Sequence, residues 1–249
     1  EAPVAIRVNP DVDAKTHAKI STGKSENKFG VPIKDARALY ARAKILPGIR
    51  VVGAAVHIGS QILDLEPFRL AYARLAELVQ ALRADGHAIA NVDLGGGLGI
   101  PYEDETPPSP ADYGRLVKAA VGPLGCRVIL EPGRLIAGNA GILVARVLMV
   151  KRGATHDFVI VDAAMNDFIR PTLYNARHAI VPVTEPGRGA KAKEVEVVGP
   201  VCESGDTFGW SARLGDAGAG DLVAVRTAGA YGAVMASTYN TRPLIPEVL

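Results

Sequence analysis

The sequence predicts two halves: an α/β half built on a parallel sheet, followed by an antiparallel β half. Three observations carry this. From Val4 to Leu130, short β-branched runs alternate with amphipathic helical stretches, the pattern of parallel strands joined by crossover helices. The inner strands end in His57, in Gly95-Gly96-Gly97 and in Glu131, so polar or glycine residues gather where strands give way to loops. In a parallel barrel those ends share one rim, where chemistry sits. After Arg134 the long helices stop, and strands are separated by Gly-, Pro- and Asp-rich turns. This change of texture places a boundary near Ala140, dividing the chain into 1–140 and 141–249.

Val4–Val8 is a strand by its β-branched content, closed by Asn9-Pro10. Residues 16–31 are polar, with Gly23 and Gly30 and no helical stripe. They read as a long loop of the kind that carries function. Ile33–Ala43 is an amphipathic helix ended by Pro47-Gly48. Val51–His57 is a strand running into HIGSQ. Pro67–Asp85 is a helix with Phe68, Leu75, Leu78, Val79 and Leu82 on one face, closed by Gly86. Val92–Leu94 is a strand ending in GGGLG, and Tyr102–Pro110 is an acidic, proline-rich loop. Ala111–Val121 is a helix. Val128-Ile129-Leu130 then reads as a buried strand that ends in Glu131, is broken by Pro132-Gly133 and is followed by Arg134. Beyond lie a short helix over Ile136–Gly141 and strands over Ile142–Val150, Phe158–Asp162, Lys193–Val198 and Asp221–Thr227.

The chain of 249 residues is 48% hydrophobic, which suits a folded protein with a substantial core. A net charge of +2 implies no nucleic-acid or membrane partner. No signal peptide and no bilayer-length apolar run is recognisable. Only Cys126 and Cys202 are present, which suits a reducing cytoplasm. The five histidines and two cysteines follow no metal-ligand spacing.

Several groups could do chemistry. Three consecutive glycines at a strand end free backbone N–H groups to approach a ligand, a nest that suits phosphate. A dinucleotide fingerprint fails here, because Ile100 occupies its last glycine position and Pro101 follows. His57 is a lone histidine after a strand, a place where hydrogen-bonded core histidines are common. With Gly59 and Ser60 beside it, it could equally face an aromatic ligand and a phosphate. Cys202, followed by Glu203, Gly205 and Asp206, is poorly placed to be core. Arg170 and Tyr174 are four apart in RPTLY, and Tyr231 sits between glycines in AGAYG.

HIGSQ, DLGGGLGIPY, EPGR, RPTLYNARH, GPVCESGD and AGAYGAVMASTYN, in that order, resemble the diaminopimelate decarboxylases. These are fold type III pyridoxal-phosphate enzymes, related to the alanine racemases and ornithine decarboxylases. The resemblance covers essentially the whole chain. It implies part of an alanine racemase-like, cofactor-binding (β/α)8 barrel followed by a β domain. It also implies a small amino-acid substrate, meso-2,6-diaminopimelate, converted to L-lysine and CO2. A head-to-tail homodimer with shared active sites is a further implication.

By motif position, His57 would stack on the pyridine ring, counted with Cys202 among the catalytic residues. Ser60 and the Gly95, Gly96 and Gly97 amides would hold the phosphate, with Gly133 and Arg134 beside the cofactor. Glu131 would pair with the ring nitrogen. Arg134, Arg170 and Tyr174 would hold the distal carboxylate of the substrate, and Glu203 its distal ammonium. Cys202, from the other subunit, would donate the proton. Tyr231 would touch both cofactor phosphate and substrate. The 16–31 loop resembles the family's active-site loop.

Four barrel strands are recognisable where eight are needed. The family's cofactor-bearing lysine lies upstream of the strand that opens this sequence, and no lysine present occupies its motif. A family member lacking its front part and its tail is therefore expected. Two alternatives accompany this reading. One is a decarboxylase of the same fold acting on another basic amino acid. The other is a non-catalytic regulatory homologue.

Overall fold

The computed structural model describes residues 1–14, 28–184 and 193–248, so most of the loop read over 16–31 lies outside the described residues. The chain divides into two compact units. The first comprises Glu1–Ile100 and Thr106–Leu135; the second comprises Pro101–Glu105 and Ile136–Leu249. The division thus falls a few residues before Ala140, and a short excursion after the glycine loop belongs with the second unit.

In the first unit, β1 (Ala2–Asn9), β2 (Val31–Pro32), β3 (Ile49–Ala55), β4 (Asn91–Asp93) and β5 (Arg127–Ile129) form one sheet in the order β2-β1-β3-β4-β5. Every pairing is parallel, as crossover helices require. Those helices are α1 (Ile33–Lys44), α2 (Glu66–Ala84) and α3 (Pro110–Val121). The apolar stripe of α2 is Phe68, Ala71, Tyr72, Leu75, Leu78, Val79 and Leu82, spaced three and four apart and all buried. Gly86, in the left-handed region at φ +80°, ends that helix. Ser109 caps α3 by accepting the Asp112 amide at 3.1 Å, with Pro110 preset at the first helical position. Tyr72 and Tyr113 tie α2 to α3 through a 2.6 Å hydroxyl contact inside the core.

One expectation is overturned here. β5 is not buried: among the described residues it is an edge strand with a single neighbour, and Val128, Ile129 and Leu130 are all exposed. The apolar run carries no information about how many neighbours the strand has.

The second unit contains β6 (Leu143–Lys151), β7 (Asp157–Val161), β8 (Ile180–Pro182), β9 (Val195–Val198), β10 (Thr207–Ser211) and β11 (Leu222–Val225). They form a sheet in the order β10-β9-β7-β6-β11-β8. It is mixed rather than wholly antiparallel, because β7 and β9 run parallel. The long connection between them, which carries the short helix α5 (Arg170–Tyr174) and β8, gives the chain room to return in the same direction. Alternate residues Leu143, Ala145 and Val147 of β6 face a core shared with Val159, Val161, Val195, Val197, Phe208 and Val223. A further short helix, α4 (Gly133–Ala137), starts three residues before the helix read from the sequence.

Candidate active site

Three adjacent strands of the first unit, β3, β4 and β5, deliver their polar residues at the same offset. His57 lies two residues past β3, Gly95 two past β4, and Glu131 two past β5. Because the strands are parallel and adjacent, equal offsets bring these positions to one rim. Backbone bonds extend the sheet to that level: Val56 N–H donates to Asp93 O at 2.9 Å, Leu94 N–H to Ile129 O at 3.0 Å, and Glu131 N–H to Gly95 O at 2.8 Å.

The glycines are needed because backbones meet here. A Cβ on Gly96 would sit 2.1 Å from the Glu131 carbonyl oxygen, one on Gly95 2.5 Å from that of Val56, and one on Gly97 2.3 Å from that of Gly59. Gly95 and Gly97 also have positive φ, at +66° and +107°. The amides of the first two are engaged within the protein. Gly95 N–H donates to Asp93 Oδ1 at 2.9 Å, and Gly96 N–H donates to His57 Nδ1 at 3.1 Å. In this loop those two donors set the rim's geometry.

The Gly96 contact also settles the His57 tautomer. Nδ1 accepts, so the neutral ring carries its proton on Nε2. Burial pushes the His57 pKa down, and the Arg7 guanidinium pushes it further, against a weaker pull from Asp93. His57 therefore presents a neutral imidazole at neutral pH. Arg7, on β1, was not singled out by its sequence context. Its Nη2 donates to the His57 carbonyl at 3.1 Å, and it lies within electrostatic reach of Glu131 and Asp93. Arg134 is 5% exposed, and its Nε and Nη2 donate to Ser60 Oγ at 3.2 and 3.1 Å. The first unit thus assembles His57, Ser60, the three glycines, Glu131 and Arg134 on one rim. Gly133 has open space beside it, since a Cβ there would meet nothing within 4 Å.

These residues fit pyridoxal phosphate. A neutral imidazole suits the face of an aromatic ring, the Glu131 carboxylate suits a protonated ring nitrogen, and the Arg134–Ser60 pair suits a phosphate. The glycine loop leaves no side chain in the way.

The second unit assembles a different set. Arg170 opens α5 and is 6% exposed, with its guanidinium carbon 5.7 Å from the centre of the Tyr174 ring. Thr172 Oγ1 donates to the Gly205 carbonyl at 2.6 Å, tying α5 to the loop that bears Cys202 and Glu203. Asp206 shapes that loop by accepting Met165 N–H at 2.6 Å and Val201 N–H at 2.7 Å. Cys202 is exposed. Glu203 Oε2 accepts the Tyr239 hydroxyl at 2.7 Å, and this acceptor pushes the tyrosine pKa up. Tyr231 is 40% exposed. Tyr102, His178, Asp206 and Tyr239 receive no role from the sequence, although all four stand inside the six motifs. Their roles depend on partners that motif spacing does not reveal.

Among the described residues, no group of three or more His, Cys, Asp or Glu is arranged to hold a metal ion. No described helix is long and apolar enough to cross a membrane.

Residues 1–138 match the family described as "Pyridoxal-dependent decarboxylase, pyridoxal binding domain". The whole chain is 49% identical to a diaminopimelate decarboxylase of Zymomonas mobilis and 50% identical to that of Pseudomonas aeruginosa, spanning 59% of the length of each. The crystal structure of diaminopimelate decarboxylase from Helicobacter pylori complexed with L-lysine superposes with a TM-score of 0.91 at 44% identity, over 98% of this chain and 61% of that one.

Proposed function

Because the chain belongs to the pyridoxal-dependent decarboxylases, we propose that the intact protein removes CO2 from meso-2,6-diaminopimelate to give L-lysine. The observation that carries this reading is the joining of α5 to the 202–206 loop through Thr172 and Gly205. That contact links a buried cation, Arg170, to a loop with an anion, Glu203, in one unit. The distal end of meso-diaminopimelate carries both a carboxylate and an ammonium, whereas lysine or ornithine, decarboxylated at its own α-carbon, would present only an ammonium there.

Pyridoxal phosphate, when bound, supplies a ring that accepts the electron pair left as CO2 departs. The chain's own residues prepare for this. Glu131 keeps a proton on the ring nitrogen by placing a negative charge beside it. His57 covers the ring face without adding a competing charge. Ser60 with the Gly95, Gly96 and Gly97 backbone would hold the phosphate, with Gly133 and Arg134 beside the cofactor, and motif position assigns Tyr231 to phosphate and substrate. Motif position assigns Arg134, Arg170 and Tyr174 to the distal carboxylate and Glu203 to the distal ammonium. Cys202 returns a proton to the carbon that has lost CO2. The same reading makes the intact enzyme a cytoplasmic head-to-tail homodimer, with Cys202 contributed across the interface.

The test is to purify the full-length protein with pyridoxal phosphate and measure CO2 release from meso-diaminopimelate, lysine, ornithine and arginine. Turnover of meso-diaminopimelate alone is expected. Preference for another basic amino acid would replace the substrate assignment, and no turnover of any would favour a non-catalytic homologue.

A further inference from the structure

The buried Arg170 sits within a cluster that fixes its orientation. Its Nε–H donates to His178 Nε2 at 3.2 Å, and its Nη2 donates to the Tyr102 hydroxyl at 3.3 Å. The guanidinium carbon lies 5.3 Å from the centre of the Tyr102 ring. A guanidinium can only donate, so His178 Nε2 must present a lone pair. His178 Nδ1 faces the Arg226 carbonyl at 3.0 Å, and a carbonyl can only accept, so the proton is on Nδ1. The ring is therefore neutral and of defined tautomer. It bridges a main-chain carbonyl to the guanidinium.

Both ends of that bridge are anchored. Arg226 follows β11, and its N–H donates to the Ala179 carbonyl at 2.9 Å. The His178 ring is 2% exposed and meets Tyr102 and Phe168 edge-on, with centroids 4.9 and 4.7 Å away. The Tyr102 loop is itself fixed, because Glu105 Oε2 accepts the amides of Tyr102 and Glu103 at 2.9 and 2.8 Å. A carboxylate is recognised by two parallel N–H groups only if the guanidinium plane is set in advance. With Nε tied to His178, that plane is set by the sheet.

We propose that His178 is a positioning residue for recognition of the substrate's distal carboxylate, acting through Arg170. The inference rests on the carboxylate-binding role proposed above for Arg170.

The test uses the full-length holoenzyme. His178→Phe keeps an aromatic ring against Tyr102 and Phe168 and removes both nitrogens. It should raise KM for meso-diaminopimelate about tenfold, the effect of losing one charge-assisted hydrogen bond. Pyridoxal-phosphate content should be unchanged. The Ki of L-lysine, which keeps the distal carboxylate because CO2 leaves from the reacting carbon, should rise by a similar factor, while that of 1,5-diaminopentane, which has no carboxylate, should stay within about twofold, a shift too small to reflect a lost hydrogen bond. His178→Gln places an acceptor where Nε2 stood and should restore most of the affinity. His178→Asn keeps a polar side chain too short to reach Arg170 and should behave like the Phe variant, which covers the case in which Phe does not fold. Unchanged KM in the Phe and Asn variants would overturn the proposal, as would a parallel rise in the Ki of 1,5-diaminopentane. Failure of the wild-type enzyme to turn over meso-diaminopimelate would instead remove the functional reading, and the positioning role with it.

Discussion

His57, Glu131 and Arg134 owe their placement to strand ends, but their chemical state is set by neighbours. The His57 ring is neutral because Gly96 donates to Nδ1 and because burial and Arg7 disfavour a second proton. Nitrogen chemical shifts of the intact protein should show Nε2 protonated at neutral pH, with titration below the ordinary histidine value. A ring protonated at pH 7 would contradict this account. Cys202 stands differently: it is exposed, on a loop fixed by Asp206. In the full-length enzyme, Cys202→Ala should leave cofactor absorbance intact and lower kcat by ~10²–10⁴-fold, the usual contribution of positioned proton transfer. An unchanged kcat would assign the proton to another group. The candidate residues with unusual local context, such as Cys202 before Glu203 or three glycines in a row, were legible in the sequence. Arg7, His178 and Tyr239 were not, because each acts on a partner at least eight residues away in the chain.

At the scale of elements, the glycine loop is a packing device. Gly96→Ala would put a methyl 2.1 Å from the Glu131 carbonyl, forcing the ends of β4 and β5 apart. A loss of roughly 1–3 kcal/mol in stability is expected, the range for overpacking a fixed site. Gly133→Ala, where nothing lies within 4 Å, should change stability by less than about 0.5 kcal/mol. Equal melting temperatures for the two variants would show that the loop can relax. A second element-level device pins the start of β7. Asp157 is 3% exposed, and its Oδ2 accepts from both Lys193 and Arg152. Those two partners hold its pKa at about 2. A carboxylate depressed in the folded state stabilises fully above its unfolded value of about 4, and that contribution is lost as pH falls toward 2. Asp157→Asn should therefore melt at a lower temperature than the parent at pH 7, and the gap should narrow between pH 4 and pH 2. A gap that stays constant with pH would place the stabilisation elsewhere.

At the scale of the whole molecule, β5 is an edge strand among the described residues, with exposed Val128, Ile129 and Leu130. Unpaired edges with apolar side chains recruit other strands. The 249-residue chain expressed by itself is expected to self-associate at micromolar concentration, and Ile129→Lys should reduce that association by placing a charge on the edge. Light scattering or sedimentation would check this. A monodisperse parent chain at tens of micromolar would show the edge to be protected.

The sequence by itself determined the class of the fold, because hydrophobic period and strand spacing are local properties. The α2 stripe and the strands ending in His57, in the glycines and in Glu131 are written in neighbouring residues. It also determined the family, since six motifs in order leave little freedom. What only the tertiary structure decided depends on contacts between distant residues. The parallel pairing of β7 with β9, the edge position of β5 and the grouping of Tyr102 with Arg170 are of this kind. So are the engagement of Gly95 and Gly96 donors within the loop and the His57 and His178 tautomers. A tautomer follows from which atom faces which nitrogen, and a sheet edge from how many strands stand beside it. Neither quantity exists until the chain has folded.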